Sequence, residues 1–178
     1  MGYRTLSVAE WGDRILLLIQ KAVISTGTLS EVERGSGETP AFVLTPTPGP
    51  YTLQAAIAAC HARAATPEAT DWPRIATLYA TLAQTTPSPI IELNRAVAVS
   101  MAHGPQAGLD IVDTLTNEPT LKNYHLLPSV RGDLLVKLNR PNEARTEFER
   151  AATLTRNARE RDLLLKRAND CAESIHSK

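Results

Sequence analysis

The chain carries four histidines, His61, His103, His125 and His176, and two cysteines, Cys60 and Cys171, the residue types from which a metal site or an acid–base centre would be built. Zinc sites draw their ligands from short, fixed spacings. No two of these histidines stand three or four residues apart, and no cysteine joins them at ligand spacing. A nucleophile elbow, a glycine-rich phosphate loop and a carboxylate pair in a convincing setting are also missing from the sequence. Enzyme chemistry is therefore not expected, nor is a metal or cofactor. The polar residues that stand out are of another kind. Asn94 and Arg95 interrupt an apolar stretch, and Arg131 and Asp133 repeat the intrusion at matching positions downstream. A charge inside an apolar helix is generally paired. Each arginine is thus expected to hold a carboxylate or a helix C-terminus of a neighbouring segment, with a partner-binding role as the competing reading. Trp72 sits just inside a helix start, where it is an anchor if packed and a contact site if exposed.

The elements that position these residues are paired helices. From Tyr124 to Thr155 the sequence reads as two helices joined by a short turn. Gly132, Leu135, Ala144, Phe148 and Ala151 fall where the tetratricopeptide class of helix–turn–helix repeat places small and large residues in alternation. Two helices approach closely only where Gly or Ala removes a side chain, and large residues then fill the seam. A second copy lies 36 positions upstream, pairing Arg95 with Arg131, Ala96 with Gly132, Val99 with Leu135, Pro105 with Pro141, Gly108 with Ala144 and Val112 with Phe148. Tyr51 to Thr86 makes a third, looser unit. The fold class expected is all-α: a tetratricopeptide-like array of helical hairpins, with a C-terminal capping helix and an N-terminal helix and arm.

With 178 residues, 43% of them hydrophobic, the chain is long enough to bury a core. Nineteen basic and 19 acidic residues cancel, so no overall field draws the chain to nucleic acid or to anionic lipid. The apolar run at 15–19 is too short to span a bilayer, and no leader with a cleavage site precedes it. Two distant cysteines fit a reduced compartment. A cytoplasmic protein without a membrane segment is the expectation.

In chain order, Ser7 to Val23 carries a helix signal, with Ser7 and Glu10 as a capping box and Trp11, Ile15, Leu18 and Ala22 as an apolar stripe. Gly35 to Pro50 is rich in proline and glycine and reads as a linker. The boundary therefore falls between an N-terminal part, 1–48, and a helical domain, 49–178. Tyr51 to Ala64 is Ala-rich and apolar on most of its circumference, so it is expected inside the array. Asp71 or Thr70 as the cap with Pro73 in the first turn, and Ser88 with Pro89, mark two helix starts. Asn157 caps a final helix whose charged face suits the end of an array.

The phrases GPYTLQAAIAACHARA, TDWPRIATLYATL, SPIIELNRAVAV, GLDIVDTL and YHLLPSVRGDLL, continuing into NARERDLLL, resemble the C-terminal tetratricopeptide-like extension of extracytoplasmic-function sigma factors of the sigma-70 family. The resemblance covers roughly two-thirds of the chain. It implies a part in transcription regulation, with sigma regions, RNA polymerase or a regulator as the protein partner. The regions with which such sigma factors read promoters are absent from this sequence, so direct nucleic-acid binding by this segment is not expected.

Repeat architecture alone points to a rigid surface that binds protein. The residues expected on that surface are Trp72, Asn94, Arg95, Val97, Met101, His125, Arg131 and Asp133. The first helices of the two matching repeats should line an apolar groove through Ile90, Leu93, Val97, Ser100, Met101, Leu126, Ser129, Asp133, Val136 and Lys137. A groove of that kind needs an occupant: the helix at Ser7–Val23, a second copy in a homodimer, or a sigma region. The alternative function is a small-molecule sensor, with a pocket between repeats anchored by Asn94, Arg95 or Arg131.

Overall fold

The computed structural model describes residues 48–176. The expected N-terminal helix at Ser7–Val23 and nearly all of the linker lie outside the described residues. Seven α-helices follow one another: α1 (Pro50–Arg63), α2 (Trp72–Thr85), α3 (Pro89–His103), α4 (Pro105–Leu115), α5 (Leu126–Lys137), α6 (Pro141–Leu154) and α7 (Ala158–His176). Short 3-10 turns occupy Pro67–Ala69 and Pro119–Leu121, and the described residues include no strand.

Local chemistry explains most of the boundaries. Proline stands in the first turn of α1, α2, α3, α4 and α6, where its missing N–H costs no helical bond. The Asp71 carboxylate caps α2 by accepting from the Arg74 N–H at 3.1 Å, and Asn157 caps α7 by accepting from Arg159 and Glu160 at 3.0 and 3.4 Å. Ser88, expected to cap α3, makes no capping bond with its hydroxyl. The hairpin turns need one residue in left-handed backbone, supplied by Gly104 (φ 98°) between α3 and α4 and by Asn139 (φ 57°) between α5 and α6.

Each helix packs on the next in sequence, and α3 also touches α5 across the hairpins, the nearest-neighbour stacking of a solenoid. The seams are built as the small and large spacing requires. A methyl group at Gly132 would sit 2.8 Å from the Phe148 ring, and one at Gly108 would sit 2.4 Å from Ser100 Cβ and 2.8 Å from the Ala96 carbonyl oxygen. Leu135, Ala144, Phe148 and Ala151 are all fully buried. At the C-terminal end, α7 buries Leu164, Ala168 and Cys171 along one stripe and leaves most of its charged residues in solvent.

Two expectations change. α1 does not lie inside the described array. It buries only Leu53 and Ile57 and leaves Tyr51 79% exposed, because α2 is its principal neighbour and seats one side of it. Nor do the described residues leave a bare apolar groove along α3 and α5. Leu93 and Val97 are fully buried, as are Ser100, Leu126, Ser129 and Asp133 nearly so. α3 lies between α2 and α4 and also meets α5, which takes up most of its circumference. Of the expected lining, Ile90, Met101, Val136 and Lys137 reach solvent.

Candidate functional site

Arg131 sits on α5 between α4 and α6 and ties the three together. Its Nε donates to Asp113 Oδ1 and its Nη1 to Glu147 Oε1, both at 2.8 Å. Burial alone would pull this guanidinium down, but the hydrogen bonds and charges of Asp113 and Glu147 outweigh it and hold the pKa above its ordinary value. Arg95, its counterpart one repeat earlier, bonds only Glu92 of its own helix, through Nε at 2.9 Å and Nη2 at 2.8 Å. The reason is legible in the repeat. The positions 36 residues before Asp113 and Glu147 are Thr77 and Ile111, so neither carboxylate is there. The structural reading of Arg131 holds, whereas Arg95 does not reach a neighbouring repeat.

Asp133 is 1% exposed and accepts a hydrogen bond from the Arg167 guanidinium of α7, which also lies 4.4 Å over the Phe148 ring. Its second oxygen, Oδ2, has no hydrogen-bond partner. One turn on, Lys137 Nζ lies 4.0 Å from Met101 Sδ of α3, and burial pushes the amine down to about 8. Between α2 and α3, Asn94 hydrogen-bonds Tyr79; burial pushes this phenol up to about 12, with the Asn94 bond acting the other way. Asn94 Oδ1 is buried without a partner. His125 Nε2 lies 3.3 Å from Glu160 Oε2, which also accepts from the Thr155 hydroxyl at 2.7 Å. This links the start of α5 to the start of α7. His61 packs edge-on to Trp72 with ring centroids 5.4 Å apart.

The eight residues expected on one surface are therefore not together on one. Trp72, Asn94, Val97 and Asp133 are buried. Trp72 anchors α1 on α2, Val97 fills the core, and the other two make polar bonds between helices. Arg95, Met101, His125 and Arg131 are only partly exposed, and Arg131 and His125 are occupied by carboxylates of the chain itself. Asn94 and Asp133 are not equivalents either, since Asp133 falls on Val97 at the repeat offset. Sequence reasoning missed Asp113, Glu147, Glu160 and Arg167 as partners. Glu147 carried the clearest signal, a glutamate one residue before the buried Phe148, with its side chain 12% exposed.

Among the described residues, no helix is long and apolar enough to cross a membrane. No protein-family model matches the chain, and no solved structure matches it. An uncharacterized protein of Rhizobium meliloti (strain 1021) is 52% identical over 113 residues, which make up 64% of this chain and 26% of the relative. The chain thus spans about a quarter of the length of the curated relative it matches.

Proposed function

We propose that the chain is a protein-interaction module of transcription regulation, one that works in the cytoplasm on an extracytoplasmic-function sigma factor and its RNA polymerase. The observation that carries the protein-binding half is the use made of the polar residues. Arg131, Asp133, Arg167 and His125, the groups from which chemistry would be built, are spent on fastening one helix to another. What remains for function is the surface of a stacked helical array, and arrays of this kind bind other proteins. The sigma-factor half rests on the sequence resemblance. A match to part of a much longer relative fits a module carried on a larger protein.

The test is a titration of the purified chain into fluorescently labelled sigma regions and, separately, into core polymerase. A dissociation constant tighter than about 10 µM at physiological salt would support the reading, as expected of a transient regulatory contact. No binding to either at about 100 µM would refute it. One observation favours the small-molecule alternative: among the described residues Asn94 Oδ1 is buried between α2 and α3 with no hydrogen-bond partner, a polar group that a ligand's donor could satisfy. A thermal shift with a small metabolite, lost in Asn94→Leu, would favour that reading.

A further inference from the structure

The two ends of the described array are finished differently. At the C-terminal end, α7 buries Leu164, Ala168 and Cys171 and turns Arg159, Asp162, Lys166, Asp170 and Glu173 to solvent, the polar outer face that the last unit of a solenoid needs. At the other end, α1 carries no Asp, Glu, Lys or Arg from Pro50 to Ala62. Leu53 and Ile57 are buried where α1 meets α2, and Tyr51, Ala55, Ala58 and Ala62, on the opposite side at 3.6 residues per turn, are exposed. Like α3 and α5, α1 opens a hairpin. α3 lies between α2 and α4, and α5 between α4 and α6, whereas among the described residues α2 is the principal neighbour of α1. A side without charge has the composition of an interface core.

The chain ahead of α1 carries a stripe that matches this side. Trp11, Ile15, Leu18 and Ala22 stand at the same spacing as Tyr51, Ala55, Ala58 and Ala62. Run antiparallel, as the two helices of a hairpin are, the stripes bring Trp11 to Ala62, Ile15 to Ala58, Leu18 to Ala55 and Ala22 to Tyr51. Every level then sets one large residue against one small one, the rule that the α5–α6 seam follows with Phe148 on Gly132. Run parallel, they would crowd Trp11 on Tyr51 and leave Ala22 on Ala62. The intervening residues 24–49 span about 25–30 Å as a coil, ample for helices packed about 8–10 Å apart. We propose that the exposed side of α1 is the seat of residues 7–23 of this same chain, packed antiparallel to α1 as a further hairpin. The array then begins near Ser7 and not at Gly49, and α1 is an interior helix. The proposal goes beyond the protein-binding reading and does not rest on it.

Its test uses the full chain and no partner protein, so it succeeds or fails apart from the sigma-factor reading. Amide hydrogen exchange on the parent chain should show residues 11–22 at least a hundredfold slower than an unstructured peptide; exchange at the peptide's rate overturns the proposal. Ala58→Glu keeps a good helix former and is nearly silent on a face open to water, but against Ile15 it strands a charge. It should speed exchange of residues 11–22 at least tenfold and leave α4 to α6 unchanged, and unaltered protection of 11–22 overturns the seat. Cysteines read the orientation. In a Cys60→Ala/Cys171→Ala background, Leu18→Cys/Ala55→Cys should close a disulfide within one chain at least tenfold faster than Leu18→Cys/Glu149→Cys, whose second position is exposed on α6. Equal rates overturn the proposal. A disulfide that joins two chains instead also overturns it, in favour of a second copy as the occupant. Exchange needs no cysteine variant, so it decides alone should replacing the buried Cys171 unfold the array.

Discussion

Replacing Gly108 by alanine sets two effects of similar size against each other. Inside a helix, alanine is favoured over glycine by about 1 kcal/mol, so Gly108→Ala would stabilise an isolated α4. In the array the added methyl group would sit 2.4 Å from Ser100 Cβ and 2.8 Å from the Ala96 carbonyl oxygen. Carbon atoms rest about 3.5–4.0 Å apart at best separation, so α3 and α4 must part by roughly 1 Å. The obstacles are main chain and a Cβ, which have no rotamer to retreat into. Overpacking of this sort costs about 1–3 kcal/mol, and occasionally more. Contacts as short as 2.4 Å belong to the upper part of that range, so the clash should win, for a net loss of about 1–2 kcal/mol. Gly132→Ala is the matched control. It gains the same propensity but meets the edge of the Phe148 ring at 2.8 Å, and a ring can tilt, so its net loss should be smaller. Urea unfolding followed by helical ellipticity measures both. With a slope of about 2 kcal/mol/M, the midpoint of Gly108→Ala should fall by about 0.5–1 M. A Gly108→Ala chain that unfolds at the same or higher urea than the parent, or later than Gly132→Ala, refutes the close-approach account of the seam.

Three further outcomes are expected. Arg167→Met leaves the buried Asp133 without its cation and should cost about 3–5 kcal/mol, whereas the double variant Asp133→Leu/Arg167→Met should recover much of that loss in the same unfolding assay. A double variant no more stable than the single one argues against the pair. Lys137, whose amine titrates at about 8 when folded against an ordinary 10.5, sheds its proton sooner in the folded chain, so its contribution to stability rises with pH between those values and its full desolvation cost stands below 8. Lys137→Met should therefore be more stable than the parent at pH 7, by a margin that shrinks towards pH 10; a constant margin would contradict the shift. Ala144→Leu, at a fully buried seam position, should lower the melting temperature by several degrees through overpacking, and an unchanged melt would mean that the α5–α6 register is wrong.

The hairpin register was readable in the sequence because it depends on local chemistry. Gly132 against Phe148, proline in the first turns, and the caps at Asp71 and Asn157 are each decided within one or two helical turns or by a repeat of such turns. What was not readable depends on distant neighbours. The apolar face of α3 looked like a groove because periodicity shows that a face is apolar but not how many helices cover it. Arg131 meets Asp113 from 18 residues away and Asp133 meets Arg167 from 34, and nothing near either residue marks its partner. Arg95 misled for the opposite reason. It matches Arg131 in place, but Thr77 and Ile111 stand where the counterparts of Asp113 and Glu147 would be.

Single-round transcription with purified polymerase and each extracytoplasmic-function sigma factor of the chain's own genome, with and without this chain added, tests the proposed function most directly. A change of at least threefold in transcript from the cognate promoter of one of them, with a housekeeping promoter unaffected, is the result predicted; equal transcript from every promoter at saturating chain would contradict it.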